Sequence, residues 1–307
     1  MSKRDLVRRA LEHGLLVSPE QLEKLDEAGL KAMLAQSAQG GKTFVEAPEK
    51  KSQITVKIRK TKAKKELTPK DFVQFYNAKY SGIKDMLLRK MRAVSINKLK
   101  GMFSDVAVIG MVKEHTPKGL VLEDSTGEVE VITKDQPGLD DVLGIRGAVR
   151  EGRLFPKEFV YPDIPLDHKP ARVPGVRVIL STQPDPPASA DLVFTPGEAK
   201  GRAIGFKENP AWITVSKSGQ KAGILAYAPG QETSVKEAVG WLRKRCLPHG
   251  RKEVPGPDNP FLIKAVPEIL WVISAEAGTE LYKGVRVISC GAGSCRVSLN
   301  DMATEFL

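Results

Sequence analysis

Apolar residues recur three and four positions apart in two stretches near the start of the chain. Leu6, Val7, Ala10 and Leu11 make one helical stripe; Leu22, Leu25, Leu30 and Leu34 make another. Ser18, Pro19 and Gln21 precede the second stripe as a cap, a first-turn proline and a capping-box partner. Residues 1–48 are therefore expected to form a small helical domain. A third stripe follows Thr68, Pro69 and Asp71, and runs through Phe72, Phe75, Tyr76, Tyr80, Ile83, Leu87 and Met91. It predicts a helical segment over 67–100, with the aromatics packed in a core rather than stacked on bases.

From Ser104 the period shortens to that of strands. Residues 105–112, 118–124, 127–133, 142–152 and 153–163 carry strand patterns, several of them separated by short Gly-containing turns. Five such strands in quick succession predict a β barrel of the oligonucleotide/oligosaccharide-binding (OB) kind over 101–165. Beyond the proline-rich DIPLDHKPARVPG, strand patterns at 176–180, 191–195, 212–215, 223–227, 261–266, 268–274 and 285–290 accompany one helical pattern at 234–246. Residues 170–307 are thus expected to be a layered α/β domain with a substantial antiparallel share.

A chain of 307 residues accommodates these domains. Its net charge of +11 is concentrated in KKSQITVKIRKTKAKK, which begins at Lys50. This makes 49–66 a basic linker, a solvated tether, a nucleic-acid-binding segment, or both at once. Lys57, Arg59, Lys60, Lys62, Lys64 and Lys65 are its candidate DNA contacts. No apolar run reaches the roughly 18 residues of a membrane span, and the N-terminal stretch has no signal-peptide core. A cytoplasmic protein with no membrane partner is expected. Cys246, Cys290 and Cys295 are too few for a disulfide framework or a four-cysteine zinc site. The glycine-rich Gly291–Cys295 stretch lacks the lysine and following helix of a phosphate-binding loop.

Several long segments in order resemble the small-subunit family of archaeal family D DNA polymerases, relatives of the B-subunits of eukaryotic replicative polymerases. ELTPKDFVQFYNAKYSGIKDMLLRK is similar to the family's helical segment, and VIGMVKEHTPKGLVLEDSTGEVEVIT to its barrel strands. NPAWITV, LRKRCLPHGRKEVPGPDNPFLIKAVPEI and YKGVRVIS are similar to parts of its C-terminal calcineurin-like phosphodiesterase domain. In active members, the resemblance implies, that domain is a 3′–5′ exonuclease with two divalent metals held by Asp, His and Asn.

Those ligand positions are replaced here. In the first motif Thr182 stands for the Asp and Pro184 for the His. Ala228 and Pro229 replace a His-Gly pair, and Ser274 and Glu276 stand in a Gly-His-X-His motif, preceded by Trp271 where a further His belongs. Two intervening motifs are missing between Ser181 and Asn209. His13, His115, His168 and His249 have no ligand spacing to one another and read as surface or loop imidazoles.

The resemblance therefore implies a non-catalytic accessory subunit with a degenerate phosphodiesterase domain and no metal or cofactor. It implies a heterodimer with the large catalytic subunit, DNA as a partner, and the sliding clamp or another replication protein as a further one. Two alternatives stand beside it. One is a stand-alone single-stranded DNA-binding protein using the barrel and the basic linker, with Phe155, Phe159 and Tyr161 as the barrel's candidate stacking aromatics; the other is a residual metal-dependent exonuclease on Glu276, Asp191 and Asp185.

Overall fold

Val56 and Ile58 alternate with Thr55, Lys57 and Arg59, and this period of two makes an edge strand, β1 (Thr55–Arg59), out of part of the expected linker. Ile54, Val56 and Ile58 turn into a hydrophobic core while the backbone pairs antiparallel with β10 (Ala211–Lys217). Burial of three β-branched side chains outweighs the flexibility that the flanking lysines suggest. In this computed structural model the described residues are Arg8, 53–59, 67–101, 103–183, 185–186, 189–250 and 258–307. The helical domain expected over 1–48, Arg8 apart, lies outside them, as do Lys60, Lys62, Lys64, Lys65 and Pro184.

Helix α1 (Pro69–Leu88) starts where the sequence predicts. The Asp71 carboxylate accepts hydrogen bonds from the Thr68 backbone N–H (2.8 Å) and hydroxyl (2.7 Å). Phe75, Ile83 and Leu87 are buried, Tyr76 and Tyr80 are partly buried, and Phe72 stays exposed.

Five strands follow: β2 (Phe103–Thr116), β3 (Gly119–Asp124), β4 (Gly127–Ile132), β5 (Val142–Arg150) and β6 (Arg153–Val160). They close into a barrel in the order β2-β3-β4-β6-β5, antiparallel except where β4 meets β6. Long β2 bends through register shifts near Phe103–Val106 and Val112–Glu114, so it pairs with β5 along most of its length and with β3 at its end. A Cβ at Gly110 would lie 2.5 Å from the Leu122 side chain, so the barrel closes only with glycine there. Asp124 fastens one end: its carboxylate accepts from the N–H groups of Ile96, Thr126 and Gly127.

The C-terminal region is built on two β-sheets with few helices, richer in strand than the layered α/β domain expected. A six-stranded sheet runs β1-β10-β11-β12-β14-β13, with β11 (Gln220–Tyr227), β12 (Ile269–Val272), β13 (Ala277–Tyr282) and β14 (Val285–Cys290). A five-stranded sheet runs β16-β15-β7-β8-β9, with β7 (Arg177–Ser181), β8 (Leu192–Pro196), β9 (Ile204–Phe206), β15 (Ser294–Ser298) and β16 (Thr304–Phe306). One core between the sheets joins Val178, Leu180, Phe194, Ile213, Ile224, Trp271 and Ile288.

Part of the other face of the larger sheet, around β11, β12 and β14, is covered by α1, by helix α2 (Val235–Lys244) and by barrel residues. Leu225, Leu270, Val272 and Val287 share a second core there with Phe75, Leu87, Leu242, Ile109 and Val142. The expected strand at 261–266 is instead an apolar plug. Phe261, Leu262 and Ile263 are buried, and Arg245 donates to the carbonyls of Ile263 and Lys264, both at 2.8 Å. Burial pulls the Arg245 guanidinium down to about 10.

Asp163 locks the barrel exit to this assembly. Its N–H donates to Arg243 O at the end of α2, and its carboxylate accepts from Ile164 N–H, Tyr282 OH (2.9 Å) and Lys283. The residue sits at φ 53°, a conformation Asp and Asn tolerate. Burial alone raises a carboxyl pKa, but the hydrogen bonds from Lys283, Ile164 and Tyr282 outweigh it and hold Asp163 below the usual value. Asp163→Asn keeps the shape and the backbone conformation but removes the charge, and is expected to cost about 1.5–3 kcal/mol. Because the folded pKa is depressed, the wild-type advantage is full above about pH 4 and is lost as pH falls through the folded value. Thermal melts of both proteins across that range check it: the gap in Tm should narrow below pH 4.

Candidate functional site

The parallel run of β11, β12 and β14 brings the ends Tyr227, Val272 and Cys290 to the same side of the larger sheet. The turn after Cys290 crosses to β15, which pairs Ser294 with Ser181 at the end of β7. Four strand ends thus meet, carrying Thr182, Ala228, Ser274 and the Gly291–Gly293 turn. The expected motif positions are next to these ends because strand order brings them there; no local spacing does.

Neutral hydrogen bonds fill this end of the sandwich. Thr182 Oγ1 donates to the carbonyl oxygens of Gly291 and Gly293, 3.0 and 3.1 Å away, and its N–H also reaches Gly293 O. Gln183 Nε2 donates to Ala292 O at 3.1 Å, and the hydroxyls of Ser181 and Ser294 are 2.8 Å apart. Ser274 Oγ accepts from the Thr233 N–H just ahead of α2, and its carbonyl accepts from Ser289 Oγ. Asn209 brackets Ala228, donating to its carbonyl at 2.8 Å and accepting from its N–H at 2.9 Å. Asn209, Thr233 and Ser289 are partners that sequence reasoning did not find. Each acts through a contact between distant parts of the chain, which leaves no local signal.

Glu276 is exposed. It borders an open concavity with Glu232, Thr233, Ser234 and Glu237, beside the Ser234–Glu237 capping box of α2. Asp191 pins the opposite end of β7: its carboxylate accepts from Arg177 N–H at 2.8 Å. A five-residue strand separates that end from Ser181 by about 13 Å. Glu276 and Asp191 are therefore held apart. Among the described residues no group of three or more His, Cys, Asp or Glu is placed to hold a metal. The donors at the four strand ends do not fit a two-metal centre, because hydroxyls and carbonyls supply no carboxylate to balance the charge of two divalent cations.

Trp271 is fully buried and meets Phe206 edge-on at 5.7 Å. Cys290 and Cys295 are buried in the same core; the hydrogen bond with Cys295, then burial, push the Cys290 thiol up, leaving it inert. His249 lies in a loop, partly buried, with its ring 5.0 Å from Phe261 and 5.1 Å from Phe75. His115 Nε2 is 2.7 Å from Pro137 O.

On the barrel, Lys113 pairs with Glu128, and Arg153 with Glu130 (2.9 Å). Phe159 and Tyr161 pack against the barrel core, with Arg243 stacked 4.7 Å over the Tyr161 ring, so of the three candidate stacking aromatics only Phe155 is exposed. Lys57 and Arg59 sit exposed on β1.

A carboxylate at position 182 should be unfavourable here. Thr182→Asp would aim a carboxylate at two carbonyl oxygens and is expected to cost more than Thr182→Val, which forfeits about 1 kcal/mol of hydrogen bonding. The repulsion raises the pKa of the introduced carboxyl, so the Thr182→Asp deficit should shrink as pH falls through that raised value. Urea unfolding of both variants at neutral and acidic pH tests this.

No protein-family model matches the chain. It is similar to the DNA polymerase II small subunit of Archaeoglobus fulgidus, 24% identical over 108 residues. The match covers 32% of this chain and 22% of that relative's length. No helix among the described residues is long and apolar enough to cross a membrane.

Proposed function

We propose that this chain is a non-catalytic accessory subunit of a family D replicative DNA polymerase, binding the large catalytic subunit as a heterodimer. The observation that carries the reading is the similarity to a DNA polymerase II small subunit. The fold supports it: a closed five-stranded barrel, read as the OB domain, precedes a two-sheet sandwich, read as a degenerate calcineurin-like phosphodiesterase domain. The strand ends support it as well. Where an exonuclease would hold two metals, this chain has Thr182, Ala228 and Ser274 tied into neutral hydrogen bonds. The sandwich serves as a docking scaffold, and its strands persist because they bury both cores. DNA and the sliding clamp or another replication protein are further partners in this reading, with residues 1–48 free to serve the latter. The protein works in the cytoplasm of an archaeal cell.

A stand-alone single-stranded DNA-binding barrel is less well supported. Its β3 and β4 carry Glu123, Asp124, Glu128 and Glu130, its nearby cations Lys113 and Arg153 are paired with two of these acids, and two of its three candidate aromatics are packed inward.

Co-expression with the large subunit of an archaeal family D polymerase should give a complex that survives affinity capture and gel filtration at moderate salt. Failure to co-purify overturns the reading. Manganese-dependent degradation of a single-stranded 3′ end that disappears in Glu276→Ala would restore the exonuclease reading in its place.

A further inference from the structure

The uncovered half of the larger sheet's outer face presents a row of cations. In antiparallel pairing, directly opposed residues point to the same face. The registers give three such rows across β1, β10 and β11: Thr55, Ser216 and Lys221; Lys57, Thr214 and Gly223; Arg59, Trp212 and Leu225. Leu225 and Trp212 join the core under α1 and α2, whereas Thr55, Lys57, Arg59 and Lys221 are exposed. Beyond the covered edge, the face therefore consists of three cations, three hydroxyl side chains and a glycine.

The charge on this face is not balanced as it is on the barrel. β1, β10 and β11 contain no Asp or Glu. The fourth basic residue in these strands, Lys217, lies on the opposite face and donates to Gly175 O at 3.1 Å. Glu268, next to Gly223 at the border of the patch, is buried, and its carboxylate accepts from the N–H groups of Ala171 and Gly223. Among the described residues, Lys57, Arg59 and Lys221 form no ion pair, while Lys113, Arg146 and Arg153 on the barrel each have a glutamate. In the sequence, Arg59 is followed by Lys60, Lys62, Lys64 and Lys65, which lie outside the described residues.

We propose that the β1–β10–β11 face binds the sugar-phosphate backbone of DNA without reading sequence. Lys57, Arg59 and Lys221 meet phosphates, and Thr55, Thr214 and Ser216 supply hydroxyl hydrogen bonds. Lysine and arginine neutralise phosphates, and serine and threonine hydroxyls add positioning bonds to the same oxygens. Lys57 and Arg59, two residues apart on one strand, are spaced by about 6.7 Å, which suits successive contacts along an extended backbone. A flat sheet face without an exposed aromatic platform gives contact to backbone rather than to bases. The proposal rests on the polymerase reading only in choosing DNA as the polyanion.

The test is fluorescence anisotropy of a labelled oligothymidine, and of a labelled duplex, with the full chain over a salt titration. In a Lys57→Gln, Arg59→Gln, Lys221→Gln triple variant, the slope of log K against log salt should become shallower by about 2 on single strands, since each lost contact removes about 0.7. A charge-keeping variant, Lys57→Arg with Arg59→Lys and Lys221→Arg, should bind as the wild type does. Circular dichroism melts verify that both are folded. Unchanged affinity and slope in the folded triple variant overturn the proposal. So does a triple variant that keeps its DNA affinity but loses the polymerase large subunit, because the face then docks protein. Co-purification of the wild-type chain with that subunit tests the polymerase reading separately.

Discussion

Burial of both faces of the central strands of the six-stranded sheet is the constraint on which the rest of this structure depends. All four residues of β12 are buried, and they divide between two cores: Ile269 and Trp271 face the smaller sheet, Leu270 and Val272 face the helices and barrel. A strand apolar on both sides is stable only with a layer on each. The smaller sheet supplies one layer. The other is assembled from α1, α2, the 261–263 plug and residues of β2 and β5, which is why a helix far ahead in sequence and a separate barrel are tied to one surface. Asp163, placed where the barrel hands the chain to the sandwich, fixes that surface with charge-assisted hydrogen bonds as well as apolar contact.

The same parallel strands that create the buried sheet also deliver their ends to one place. In a metal-dependent phosphodiesterase such a junction would require clustered carboxylates and imidazoles. Here it contains hydroxyls, an amide bracket from Asn209 and backbone carbonyls, all satisfied by one another. Such a network needs no cation, since every group in it is neutral. In three dimensions these strand ends form a closed hydrogen-bonded seam between the two sheets.

Local pattern made much of this visible. The α1 stripe and its cap, the five barrel strands, and β7, β8, β10, β11, β12 and β14 all stand where period and turn residues put them. The misses have physical causes. β9, β13, β15 and β16 are short or carry mostly polar residues, so their pairing depends on a neighbour already in place. Residues 261–266 have the apolar run of a strand, but Arg245 takes the carbonyls of Ile263 and Lys264, and the side chains plug a core instead. His249, read as a surface or loop imidazole, is a loop residue whose ring sits among Phe75, Tyr76 and Phe261, because α1 and the 261–263 plug converge on it from distant parts of the chain.

By itself, the sequence determined which residue types stand at the strand ends and where the excess positive charge lies. That Trp271 is an indole and Thr182 a hydroxyl, neither of them a metal-binding carboxylate or imidazole, is set by the sequence, and no fold can reverse it. Tertiary structure alone decided what those residues do. It set Glu276 and Asp191 apart, drew Asn209 to Ala228 and Thr233 to Ser274, and turned Lys57 and Arg59 from a tether into a sheet face shared with Lys221. The reason is that hydrogen-bond partners and electrostatic neighbours are fixed by pairing register and layer order. Both are set by contacts between residues far apart along the chain, which a local pattern does not encode.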